Sequence, residues 1–121
     1  WVVHGSDGLD EITTTGKTKV ASLEDGAVTI FEIHPSEAGI KLAKPEQLVG
    51  GEPEENANAM LSIFNGERNA YRDIVVLNSA ACLIIAGKAK NLTEGASIAS
   101  NMIDNGKAME KLEALKEITN R

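Results

Sequence analysis

Cysteine occurs once in the 121 residues, as Cys82, so no disulfide can close within the chain. It sits inside the apolar run 74–86 with no charged neighbour to favour a thiolate, and reads as a buried thiol in a reducing compartment rather than a nucleophile. Aromatic residues number four, Trp1, Phe31, Phe64 and Tyr71. So few rings offer little base-stacking surface, and they leave the core to Ala, Val, Ile, Leu and Met, which suits closely packed helices. Basic side chains are outnumbered 12 to 18, for a net charge of −6. That balance argues against a general electrostatic grip on nucleic acid or an anionic membrane. No stretch reaches the roughly 18 consecutive apolar residues of a membrane span. An initiator Met and a basic leader segment are also missing, and the chain opens on Trp1-Val2-Val3, which reads as the inside of a strand. The expectation is a cytoplasmic protein, with a further portion of chain upstream of Trp1.

What is present fits one globular domain or a piece of a larger one, with 42% apolar and 25% charged residues. The acid is concentrated at the front: residues 1–55 carry 11 acidic and 4 basic side chains, and residues 56–121 carry 7 and 8. Trp1-Val2-Val3, stopped by Gly5, predicts a short strand whose C-terminal end feeds a loop, as where ligands bind in α/β sheets. Residues 12–15 form a β-branched stretch closed by Gly16. Segments 17–23 and 27–33 flank Glu24-Asp25-Gly26 and predict a hairpin that Pro35 ends. Residues 34–52 show no sustained period and read as an irregular connection. Pro53 suits the first turn of a helix whose stripe is Ala57, Met60, Leu61 and Phe64, with Gly66 as its stop. Residues 71–86 are apolar around most of the circumference, predicting a helix enclosed by protein. Asn91 with Glu94 resembles a capping box ahead of a helix with Leu92, Ile98, Met102 and Ile103 inward and Gly106 at its end. Ala108, Leu112, Leu115 and Thr119 describe a last amphipathic helix.

The densest polar constellation is His4-Gly5-Ser6-Asp7-Gly8-Leu9-Asp10-Glu11. Its glycine-spaced carboxylates make an anionic turn able to ligate a hard cation, and Mg²⁺ takes one or two protein carboxylates and fills its shell with water and phosphate oxygens. The spacing does not match an EF-hand loop. Two readings stand: a phosphate-bound magnesium site, or a solvated loop in which Asp7 and Asp10 cap turns. His4 lacks a partner acid or nucleophile at an interpretable spacing, and His34 before Pro35 reads as surface structure. Thr13, Thr14 and Thr15 could donate to phosphate or simply be strand. Gly50-Gly51 leads into Glu52, Glu54 and Glu55, which act as a helix-start device more than a phosphate cradle. Arg68 and Arg72 read as helix-surface charges, with anion binding the alternative. No P-loop, GxGxxG turn or Cys/His zinc cluster occurs.

Taken in order, the acidic turn, Thr14-Thr15-Gly16, Lys19-Val20-Ala21, Gly50-Gly51 with Glu55-Asn56-Ala57, and Arg72-Asp73 with Leu77-Asn78-Ser79-Ala80-Ala81 ahead of Gly87-Lys88-Ala89 resemble the C-terminal third of the anthranilate phosphoribosyltransferases. The likeness covers essentially all of residues 1–121. It implies an α/β fold: the C-terminal part of a mostly parallel sheet domain, with a short strand and acidic loop, a hairpin and about four helices. It also implies a Mg²⁺-dependent glycosyltransferase of tryptophan biosynthesis that joins anthranilate to phosphoribosyl pyrophosphate and works as a homodimer. The family's metal-binding Asp-Glu pair falls on Asp10 and Glu11, which favours the magnesium reading of the turn. Gly50-Gly51 and the Asn78 helix take packing and framework roles. The family's glycine-rich phosphate loop, helical N-terminal domain and anthranilate-contacting residues have no counterpart in residues 1–121, so this segment alone is expected to be inactive. A weaker likeness extends to the pyrimidine nucleoside phosphorylases, against which the Gly-Leu-Asp-Glu turn stands. A non-catalytic ligand-binding paralogue of the same fold stays open as well, as does a metal-binding or structural module that uses the turn alone.

Overall fold

The structure, a computed structural model, describes residues 1–120. Three strands, β1 (Val2–Gly5), β2 (Thr18–Glu24) and β3 (Ala27–Ile33), precede four helices, α1 (Pro53–Phe64), α2 (Ala70–Ile85), α3 (Leu92–Asp104) and α4 (Lys107–Thr119). The strands form one sheet in the order β1-β2-β3, with both pairings antiparallel. The α/β class, the hairpin and the four helices are as the sequence predicts. The parallel part of the expected sheet has no representative among the described residues, because β1 returns through an irregular turn to pair with β2 rather than crossing over a helix.

Local chemistry explains the hairpin. Asp25 (φ 49°) and Gly26 (φ 79°) are both left-handed between Glu24 and Ala27, the backbone of a type I′ turn whose twist matches the strands it joins. Along β2, Thr18, Val20 and Ser22 alternate inward, whereas β3 is an edge strand exposed along most of its length. Trp1 packs edge-on against Phe31, with ring centroids 5.3 Å apart. Residues 12–16 are a buried loop rather than a strand, and 34–52 is irregular apart from 3₁₀ turns at Pro35–Ala38 and Pro45–Gln47. His34 caps the first of these, its Nδ1 accepting from Ser36 N.

The helix starts are set by side-chain caps. Asn69 accepts from Arg72 N and Asn91 from Glu94 N, while at α1 the Glu55 carboxylate accepts from Glu52 N behind Pro53. The core joins Ile12, Val20 and Ile33 to Val76, Leu77, Ala80 and Ala81 of α2 and Leu92, Ala96, Ala99 and Ile103 of α3. Small residues let α2 and α3 approach closely. A Cβ on Gly95 would lie 2.8 Å from both the Cα and the carbonyl oxygen of Ala80.

The helices depart from the sequence reading at several positions, Ile85, Met102 and Leu115 among them, which are exposed rather than inward. Cys82 is exposed, because it lies about 140° around α2 from the fully buried Leu77 at 100° per residue. Arg72, read as a surface charge, is only 3% exposed. In α1 the fully buried residue is Ile63, with Met60, Leu61 and Phe64 half-buried and Ala57 exposed, so the stripe is rotated.

Candidate functional site

The acidic turn leaves β1 at Gly5 and is closed by backbone hydrogen bonds: Gly5 N donates to Leu9 O (2.9 Å), Gly8 N to Gly5 O (3.0 Å) and Ser6 N to Lys17 O (2.8 Å). Gly5 is required by close approach, since a Cβ there would meet Asp7 Oδ1 at 2.6 Å and the Thr13 side chain at 3.1 Å. Gly8 supplies the positive φ of 92° that the turn needs.

The carboxylates of the turn have different environments. Asp7 Oδ2 accepts from the hydroxyls of Thr13 (2.5 Å) and Thr15 (2.6 Å), and its Oδ1 from Leu9 N (3.2 Å). Desolvation pushes its pKa up, but these hydrogen bonds outweigh it and hold the carboxyl below the ordinary aspartate range. Asp7 is therefore a strut tying the turn to Thr13 and Thr15, which serve as framework, whereas the buried Thr14 hydroxyl has no hydrogen-bond partner among the described residues. Thr13 N in turn donates to Thr18 Oγ1 at 3.0 Å. Asp10 and Glu11 are exposed and engaged by no hydrogen bond or ion pair among the described residues.

The far end of the turn is fixed by α2. Asn78 Oδ1 accepts from Ile12 N (3.0 Å), while its Nδ2 donates to Ile12 O (2.8 Å) and Ile74 O (2.9 Å). Asp10 and Glu11 thus occupy a short span between two anchors, Asp7 on one side and the Ile12–Asn78 clamp on the other. Beside them a cavity of ≈ 340 Å³ is lined by Leu9, Glu11, Leu48, Tyr71, Ile74 and Asn78. An asparagine in the middle of an apolar helix is the one sequence signal for the clamp; its partner, 66 positions away, carries none.

The donor set suits a magnesium ion shared with a phosphate. Two hard carboxylates free of other partners stand on a held loop, and no group of three or more Asp, Glu, His or Cys gathers there among the described residues to enclose a metal fully. The remaining sequence candidates lie elsewhere. His4 is exposed on β1 opposite Lys19. Gly50 and Gly51 pack against Asn56 and Glu55, with Gly51 N donating to Asn56 Oδ1 at 2.9 Å. Arg68 and Arg72 both donate to Asp104, at 3.1 and 2.8 Å, on another side of α2.

Comparison with known proteins bears on this geometry. Residues 1–109 match the profile described as "Glycosyl transferase family, a/b domain". The chain is 58% identical over 120 residues to an anthranilate phosphoribosyltransferase of Azospirillum brasilense, covering 99% of this chain and 34% of that protein. It is 52% identical to one from Parvibaculum lavamentivorans, covering 99% and 35%. The chain thus spans about a third of the length of these curated relatives. Among solved structures it is similar to the anthranilate phosphoribosyltransferase of Saccharomyces cerevisiae in complex with PRPP and Mg, with TM-score 0.83, 27% identity, and coverage of 92% of this chain and 32% of that one. The same yeast enzyme in complex with 4-fluoroanthranilate matches with TM-score 0.83 and 27% identity, covering 92% and 33%.

Proposed function

Because the chain belongs to the glycosyl transferase family, we propose that residues 1–121 are the C-terminal portion of the α/β domain of an anthranilate phosphoribosyltransferase, with Asp10 and Glu11 as its Mg²⁺ ligands. In this reading the donor is phosphoribosyl pyrophosphate and the acceptor is the amine of anthranilate. A C–N bond forms at the ribosyl carbon as the C–O bond to pyrophosphate breaks, and the amine gives up a proton. The product belongs to tryptophan biosynthesis.

The observation that carries the reading is the pair of unpartnered carboxylates on a loop fixed at both ends. Bound there, Mg²⁺ supplies charge neutralisation for the phosphate oxygens of the donor. The chain's own residues do the positioning. Asp7 ties the turn to Thr13 and Thr15, and Asn78 holds Ile12, so Asp10 and Glu11 need not be ordered when the donor arrives. Resemblance to a yeast enzyme solved with PRPP and Mg supports the same assignment. The helical domain and glycine-rich phosphate loop of the family lie outside residues 1–121 in this reading, and the segment alone gives no turnover. The reading also makes the natural protein a cytoplasmic homodimer; among the described residues no helix is long and apolar enough to cross a membrane.

The test is Asp10→Asn and Glu11→Gln in the natural chain at full length. Each should lower kcat/KM for phosphoribosyl pyrophosphate by the equivalent of about 2–4 kcal/mol while leaving the melting temperature unchanged. Wild-type kinetics in both variants would overturn the assignment.

A further inference from the structure

A second cavity, of ≈ 380 Å³, opens between the 3₁₀ turn Pro35–Ala38 and helices α2 and α3. It shares no lining residue with the cavity beside Glu11. Its charged side chains, Arg68, Arg72 and Asp73, lie on α2 and just before it. Arg72 is 3% exposed, and its Nη2 donates to Asp104 Oδ1 (2.8 Å) and, at 3.5 Å, to Ser100 O. Its Nη1 is buried without any hydrogen-bond partner among the described residues. Buried guanidinium N–H groups are normally all satisfied, so this nitrogen calls for an oxygen acceptor.

Asp73, the next residue and also in the cavity wall, is half-buried and accepts no hydrogen bond among the described residues. Burial pushes its carboxyl up from the ordinary range, and the Arg72 charge only partly offsets this. The groove therefore holds a cationic donor short of an acceptor beside a carboxylate short of a donor. Arg68 adds a second, exposed guanidinium at the mouth.

Charge then narrows the ligand. Arg68 and Arg72 balance Asp73 and Asp104, so a bare anion or cation would leave an uncompensated charge in a half-buried groove. A molecule carrying both signs would not. Apolar surface comes from Ala38 and Ile40, from Val76 on α2 and from Ala96 on α3, where Thr93, Ser97 and Ser100 also face the groove, and the volume lies in the range of small-molecule sites. We propose that this groove binds a small amino carboxylate, its carboxylate on Arg72, its ammonium on Asp73 and its side chain against Ala38, Ile40 and Val76.

Calorimetric titration of the natural full-length chain with L-alanine, L-serine and L-leucine tests this, with acetate, methylamine and inorganic phosphate as single-sign probes. Saturable binding of at least one amino acid is expected, with every single-sign probe at least about tenfold weaker, because each loses one charge-assisted contact. Asp73→Asn should weaken the amino acid by about tenfold or more without weakening acetate. Ser97→Leu, an exposed position on the cavity wall, should block all the probes by filling the groove while the protein stays folded. Arg72 itself is left intact, since removing it would strip Asp104 of its buried partner. No saturation by any amino acid up to about 10 mM, a weaker limit than ordinary metabolite affinities, would overturn the proposal. So would acetate or phosphate binding as tightly as the amino acids, or unchanged amino-acid affinity in both variants.

Discussion

Asn78→Ala in the natural full-length chain removes three hydrogen bonds at once, two to Ile12 at 3.0 and 2.8 Å and one to Ile74 at 2.9 Å. Each contributes about 0.5–1.5 kcal/mol net, and an amide left without a partner in a buried setting costs more than the mean bond. Ile12 is 2% exposed, so its N–H has poor access to replacement water. Because the bonds themselves are only partly buried, a loss of about 2–3 kcal/mol is expected rather than the full sum. The functional consequence is separable from the folding one. Freeing Ile12 releases one of the two anchors of the Asp10–Glu11 span, and misplacement by about 1 Å of a group that must meet a substrate can cost up to a hundredfold in rate. Urea denaturation gives the stability change, and steady-state kinetics well below the melting transition should show kcat/KM for phosphoribosyl pyrophosphate lowered by about tenfold. Asn78→Asp keeps an acceptor for Ile12 N but loses both donors and turns a carboxylate toward two carbonyl oxygens, so it should be no milder than alanine. An alanine variant matching wild type in both stability and kinetics would show that the clamp does not hold the turn.

Gly95→Ala gains about 1 kcal/mol of helix propensity, but its methyl would meet Ala80 backbone atoms at 2.8 Å, and relieving that overlap separates α2 from α3. A net loss of about 1–3 kcal/mol is expected, against near-neutral Ser97→Ala on the same helix; an equally or more stable Gly95→Ala would refute the close approach. Asp7 gives a pH prediction. Its folded carboxyl lies below the ordinary range, burial raising it and the Thr13, Thr15 and Leu9 donors lowering it further. The stabilisation is therefore present at neutral pH and disappears as pH falls below about 4, through the folded value. Stability curves measured from pH 7 downward should fall less steeply on the acid side in Asp7→Asn than in wild type; parallel curves would remove the strut from its assigned role.

Much of this protein is settled by short-range sequence chemistry. Asp25-Gly26 can take two positive φ angles, so the hairpin and its register follow. Asn69 and Asn91, with Pro53 behind Glu52, start helices where their side chains or missing N–H satisfy the first turn. The clustering of Asp7, Asp10 and Glu11 between glycines marks the turn as an oxygen-rich loop, and the ordered blocks carry the family likeness. Tertiary structure alone decides what each polar group does. Three neighbouring carboxylates look alike in sequence, yet Asp7 is consumed by hydroxyls six and eight positions on while Asp10 and Glu11 stay free. Arg72 and Cys82 differ from their sequence reading for one reason: the apolar count of a helix does not say which side its neighbours cover. Packing of α3 buries Arg72 against Asp104, 32 residues away, and leaves Cys82 outward. Caps, turns and periodicity act within a few residues and are written locally. Burial and ion pairing depend on which surfaces meet, a property of the whole chain's arrangement that no local window contains.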